Sequence, residues 1–198
     1  GCVAYYALAV YTEGGEGTIA EEGGFSWLRA DEMWYLHSAP QGVEELTLPA
    51  QFTYAGVPVT SYAIPAYFWE NDAALKSVVI SAAVTQTGES AFANCGALTS
   101  VTFAAGSQLT SIGQNTFSYC SSLEKIVLPD GLQQIGYGAF MECGRLSAVT
   151  LPASLTSIEP DAFWNCYRLY EVYNNSALPL GAGTSDYGGV AKYALAVY

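Results

Sequence analysis

The apolar positions of this chain recur in a fixed order. From Leu98 it reads LTSVTFAAGSQLTSIGQNTFSYCSS, from Leu123 LEKIVLPDGLQQIGYGAFMECGR, and from Leu146 LSAVTLPASLTSIEPDAFWNCYR; a more divergent copy starts at Leu75. The repeating leucine stands at Leu75, Leu98, Leu123, Leu146 and Leu169, and the step is constant except between Leu98 and Leu123, where it is longer by two. A period of this size indicates a solenoid, in which each copy is one coil. The opening L-x-x-[VI]-x-[LIF] ends in two-residue alternation, which predicts a short strand with Val101 and Phe103 on one face. Pro129 and Pro152 end that strand, because proline cannot continue a ladder. A second short extended piece follows at Leu109–Ile112 and Leu155–Ile158, and Gly113, Gly136 or Glu159-Pro160 turns the chain. A single helical turn is then expected to carry Phe117, Phe140 or Phe163 inward, with a cysteine three residues later on the same side. The predicted class is an α+β repeat, a solenoid of short β-strands and single helical turns, with coils starting near 43, 75, 98, 123, 146 and 169. The first coil, from Val43 to Leu75, is longer than the others, and its insertion, around Tyr54-Ala55-Gly56-Val57-Pro58, is expected in a surface turn.

The flanks read differently. Residues 1–12 are apolar and aromatic, with strand-like composition, and residues 13–24 are acidic and glycine-rich. Gly24–Arg29 and Met33–His37 are two aromatic segments separated by Ala30-Asp31-Glu32, which predicts a β-hairpin. Such a hairpin would cover the open end of the solenoid, whose first coil otherwise exposes apolar side chains and strand edges. Leu169–Tyr173 still reads as a strand, and the turn-rich stretch 174–189 follows it. The last eleven residues (GGVAKYALAVY) then match the first eleven (GCVAYYALAVY) at nine positions, at an offset of 187. The organisation read from this is an amino-terminal β cap or inter-module segment (1–42), a solenoid (43–173) and a carboxyl-terminal inter-module segment (174–198), one module of a tandem array.

The repeated L-x-x-[VI]-x-[LI]-P-x-x-L-x-x-I-G-x-x-A-F-x-x-C resembles the BspA-like leucine-rich repeats of bacterial and protist surface and secreted proteins, over Val43 to about Tyr173. The resemblance implies a curved right-handed coil with strands on the concave side. It also implies a cell-surface or secreted location. Some members of that family are adhesins for host matrix proteins or other cells, so a protein or glycan ligand is expected on the concave face. The alternative is a structural spacer with no ligand of its own.

Charge narrows the partners. The net charge is -12, with six Lys+Arg in all. That argues against nucleic acid, whose phosphates need clustered cations, and against anionic membrane surfaces. No run of 18 apolar residues is present, so no helical membrane insertion is expected. The first residues lack the basic region of a signal peptide, which suggests either a protein that is not exported or a piece of a longer one.

The chemistry-bearing residues offer little for catalysis, and neither enzyme activity, cofactor nor metal is expected. Cys95, Cys120, Cys143 and Cys166 share one slot in four successive coils, and Asn71, three after Phe68, is expected there in the first coil. Rungs about 4.8 Å apart cannot bring four sulfurs to one tetrahedral ion. Buried free thiols are the leading reading, with a disulfide between adjacent rungs geometrically open. Cys2 reads as a module position. His37 is the single histidine, and no G-x-S-x-G motif is present. Glu13, Glu16, Glu21, Glu22, Asp31, Glu32, Glu44 and Glu45 read as solvated loop charges, with weak calcium contact as the alternative. The glycine-rich segments do not fit a phosphate-binding fingerprint. What remains is the outward strand column: Thr47, Val79, Thr102, Val127, Thr150, Tyr173. Its neighbours include Thr99, Ser147 and Tyr170. Thr102, Val127, Thr150, Tyr170 and Tyr173 are the candidate ligand-binding residues, because tyrosine gives contact area at low entropic cost.

Overall fold

The computed structural model describes residues 18–30 and 32–198. The expectations for residues 1–12, Cys2, Glu13, Glu16 and Asp31 lie outside the described residues. The predicted hairpin forms: β1 (Thr18–Glu22), β2 (Phe25–Ala30) and β3 (Met33–Ser38) make an antiparallel meander. Most coils then contribute two short strands. The first coil has β4 (Glu45–Thr47), a small hairpin of β5 (Phe52–Tyr54) and β6 (Val57–Val59), and β7 (Tyr62–Ile64). Ala55 and Gly56, both at positive φ, form its two-residue turn, so the insertion is a hairpin hung on the coil. The following coils give β8 (Ser77–Ile80) with β9 (Val84–Thr87), β10 (Ser100–Phe103) with β11 (Ser111–Ile112), β12 (Lys125–Val127) with β13 (Gln134–Ile135), and β14 (Ala148–Leu151) with β15 (Ser157–Ile158). Then come β16 (Glu171–Asn174) and β17 (Ala196–Val197).

First strands pair in parallel on a front face and second strands on a back face, where they form two pieces, β3-β7-β9 and β11-β13-β15. The first of these takes in the hairpin through β3, parallel to β7. The front sheet is in two pieces, β10-β8-β4 and β12-β14-β16-β17, with β10 and β12 side by side but not joined. The break falls at the coil that starts at Leu98, the one with the longer step. Its two extra residues lie between Phe103 and Leu109, where the neighbouring coil runs from Leu128 to Leu132.

The single helical turns do not form, so the α+β class is corrected. Among the described residues the chain is a β-solenoid of about six turns whose one helical element is a 3-10 turn at Tyr187–Gly189. Each segment expected to be helical is instead a series of overlapping turns. Ser90 and Asn94, Asn115 and Tyr119, and Asp161 and Asn165 all stand at positive φ, which no right-handed helix tolerates. The hydrogen bonds give the reason. Ala93 and Cys95 donate three residues back, to Ser90 and Phe92, while Ser90, Phe92 and Asn94 donate to Gln114, Thr116 and Ser118 of the next coil. These turns aim alternate N–H groups at the next coil, whereas a helix, past its first turn, directs every N–H along its own axis onto its own carbonyls.

The core is a set of columns. Leu75, Leu98, Leu123, Leu146 and Leu169 are buried. Trp69, Phe92, Phe117, Phe140 and Phe163 stack at centroid distances of 4.9, 5.4, 5.5 and 5.0 Å, with interplanar angles of 16° or less. The ring in the first coil is therefore Trp69, not Phe68. The cysteine slot three residues on is filled by Asp72, not Asn71. Asp72 Oδ1 accepts from the N–H groups of Ala74 and Leu75. Asn71 instead stands at the positive-φ position below Asn94, whose Nδ2 donates to its Oδ1. At the hairpin end Trp27 stacks on Phe52 at 4.0 Å and meets Tyr62 edge-on. This gives the aromatic cap its contact with the first coil.

Segment 174–198 adds a closing coil. β17 pairs in parallel with β16, Val190, Ala191 and Ala194 are buried, and Phe163 N–H donates to Gly188 O.

Candidate functional site

Two features stand out once the core is accounted for: the thiol column and the front face. Cys95, Cys120, Cys143 and Cys166 are buried free thiols. Each donates from Sγ to a carbonyl of the preceding coil: Trp69, Phe92, Phe117 and Phe140, at 3.1 to 3.3 Å. Burial pushes Cys95 and Cys166 up to about 12 and Cys120 and Cys143 well above the ordinary thiol range. Buried thiols held protonated in this way are poor nucleophiles. The column is structural.

On the front face the strand register lines up one outward column. Thr47 pairs with Val79, Val79 with Thr102, Val127 with Thr150, and Thr150 with Tyr173. Of the five candidate residues, Val127, Thr150 and Tyr173 are successive members of this column. Thr102 and Val127 line a groove of about 640 Å³ over the break between β10 and β12, walled by Ala104–Ser107 and Leu128–Asp130. Val127 is 66% exposed there. Thr150 stands between the groove and the carboxyl end. Tyr170 and Tyr173 belong to that end, exposed at 43% and 40%. Two hydroxyls of the neighbouring column are committed to the fold: Thr99 Oγ1 donates to Lys76 O and Ser147 Oγ to Glu124 O.

Sequence reasoning missed Tyr198. Pairing of Glu171 with Ala196 and Val172 with Val197 sets Tyr198 beside Tyr173, and their rings stack at 5.1 Å and 18°. Tyr198 is 67% exposed. The signal was the recurring Val-Tyr of Val172-Tyr173 and Val197-Tyr198. The Tyr173 hydroxyl donates to Glu171 Oε2 at 3.2 Å, and the nearby Glu171 charge raises its pKa. Aromatic side chains thus gather where the column turns from small residues to rings. Trp164 lies near the same end with Lys192 Nζ 4.3 Å above its ring.

The other candidates stay apart. His37 is half-buried in β3. Glu22 Oε2 accepts from Thr53 N–H, tying β1 to the small hairpin, and Glu44 pairs with Lys76 at 2.8 Å on the surface. No group of three or more metal-ligating side chains gathers among the described residues. No helix among them is long and apolar enough to cross a membrane.

Stacked two-strand coils with a recurrent inward leucine define a leucine-rich-repeat solenoid. The sequence pattern of the BspA-type leucine-rich repeat region matches residues 46–173 in six copies, and the chain belongs to that family. A search of curated proteins found no match. Among solved structures, a leucine-rich-repeat protein of T. pallidum is 24% identical with a TM-score of 0.72, over 91% of this chain and 81% of that one. The pneumococcal vaccine antigen PcpA is 21% identical with a TM-score of 0.58, over 91% of this chain and 49% of its own. A leucine-rich cell surface protein of Faecalibacterium prausnitzii is 22% identical with a TM-score of 0.53, over 82% of this chain and 56% of that one.

Proposed function

We propose that the chain is a non-enzymatic binding module of a bacterial cell-surface or secreted protein, taking a protein or glycan ligand on the front face. The observation that carries this is the exposed Tyr173–Tyr198 stack, with Tyr170 beside it, on a column whose other members are small or β-branched. Paired exposed rings on a rigid sheet offer a flat apolar contact with hydroxyls at its rim and little side-chain entropy to lose. Nothing in the packing of the coils requires them. Descriptions of similar folds as a cell surface protein and a vaccine antigen support the location. The test is an array of matrix proteins and glycans probed with the chain and with Tyr173→Ala/Tyr198→Ala. Binding lost at least tenfold in the double variant, with unchanged melting, supports the reading. Equal binding by both forms, or none by either, refutes it.

A further inference from the structure

We propose that copies of this module join end to end into one uninterrupted solenoid, with β17 of one copy pairing in parallel with β4 of the next. The inference needs no ligand and stands apart from the reading above.

The first support is the internal echo. Residues 188–198 repeat residues 1–11, so one full repeat unit runs from residue 12 to residue 198. In the structure 188–198 is a coil, and its strand β17 forms the last rung of the front sheet. The second support is the hairpin. Its strand β3 is parallel to β7, so it occupies the second-strand position of a coil preceding β4. A coil needs a first strand as well as a second. By the echo, β17 of one copy is the first strand of the coil whose second strand is β3 of the following copy.

Chain length agrees. Only the equivalents of residues 12–17 separate Tyr198 from the next Thr18. They span at most ~25 Å, which keeps the next hairpin within reach of the closing coil. The step from Val197 to the next Leu46 exceeds the step from Leu46 to Val78 by only four positions. That first coil likewise absorbs its excess in a hairpin, β5–β6.

The two edges suit each other. Among the described residues, β17 and β4 are the outer strands of the two front-sheet pieces. Tyr198 donates to Val172 O and accepts from Asn174 N–H. In a parallel strand alternate residues face opposite neighbours, so the N–H and C=O of Val197 point away from β16. Leu195, 82% exposed, stands on the same rim. Joining continues the outward column from Tyr173 and Tyr198 to the next Thr47.

The experiment extends the full chain by a second copy of residues 12–198. Its thermal unfolding and small-angle X-ray scattering are compared with those of the single chain. Coupled coils should unfold in one transition with a Tm raised by about 5 °C or more, as a rod longer by seven rungs, ~34 Å. Val197→Pro removes the outward donor. In the first copy it should return the Tm to that of the single chain, while in the last copy, at the free end, it should leave the gain intact. Equal Tm for one and two copies, a flexible two-body scattering profile, or equal effects of the substitution at both places would overturn the proposal.

Discussion

The thiol column should make this protein alkali-sensitive to an unusual degree. Burial raises Cys95 and Cys166 to about 12 and holds Cys120 and Cys143 well above the ordinary thiol range. An unfolded chain releases these protons near pH ~8.5. The folded state therefore holds protons that the unfolded state gives up. Stability from this source is fully present below about pH 8.5 and is lost progressively up to the folded values. Between pH 8 and 10 each thiol contributes a loss of about 2 kcal/mol, set by ionisation in the unfolded chain while the folded thiol stays protonated, and the four together several times that. That is comparable with the whole stability of many domains, and for a chain of this size it corresponds to a Tm drop of more than about 10 °C. The assay is urea unfolding followed by circular dichroism from pH 7 to 10.5, under reductant. Cys120→Ala/Cys143→Ala should be less stable at pH 7, yet lose only about half as much between pH 8 and 10. Tyr62, raised to about 12 by burial, contributes equally to both proteins and cancels in the comparison. A double variant whose pH dependence parallels the unmodified protein would refute the assignment of the loss to the column.

Core packing sets two more expected outcomes. Phe117→Ala removes a fully buried ring stacked on both sides and should cost about 3–5 kcal/mol by chemical denaturation, with near-native spectra for the folded remainder. Gly113→Ala should destabilise by more than about 2 kcal/mol, because its Cβ would lie 2.4 Å from Thr87 O of the preceding coil, whereas Gly96→Ala, with its nearest neighbour at 3.8 Å, should be within about 1 kcal/mol of neutral by the same measurement.

Most of the scaffold was legible because the coils repeat the same inward chemistry. The leucine, phenylalanine and cysteine columns, the strand positions and the hairpin all followed from spacing. The helical turns did not, because a Phe three residues before a Cys reads as one helical face whether the backbone is helical or made of overlapping turns. The discriminating sign was the recurrence of asparagine at 71, 94, 115 and 165, positions of positive φ that asparagine tolerates better than most residues. The first-coil register slipped by one at Phe68-Trp69, where two adjacent rings compete for one slot. Stepping back from Phe92 by the interval that separates Leu98 from Leu75 selects Trp69. The closing coil was hidden because Val190, Ala191 and Ala194 are small substitutes for the usual core residues. With it, Tyr198 was missed.

The direction of the hydrogen bonds explains why function should sit where the sequence is least regular. In the turn segments each coil donates forward, as Trp69 does to Ala91 and Phe140 to Ala162. At the start of each strand the donation runs backward, as from Thr99 to Lys76 and from Tyr170 to Ser147. Every coil is thus both donor and acceptor on each of its two faces, and any coil of the same backbone can stack on any other. Inward residues are constrained by this stacking, since a ring or leucine out of register opens a cavity through neighbouring rungs. Outward strand residues are constrained only to be compatible with a strand. Threonine and valine meet that need along most of the front column, and tyrosine meets it no better. A change to paired tyrosines at Tyr173 and Tyr198 adds a cross-strand ring contact at the sheet's end but is not required by the stacking of the coils. A large exposed aromatic pair costs solubility unless something covers it, which makes this end of the column the place to look for a partner.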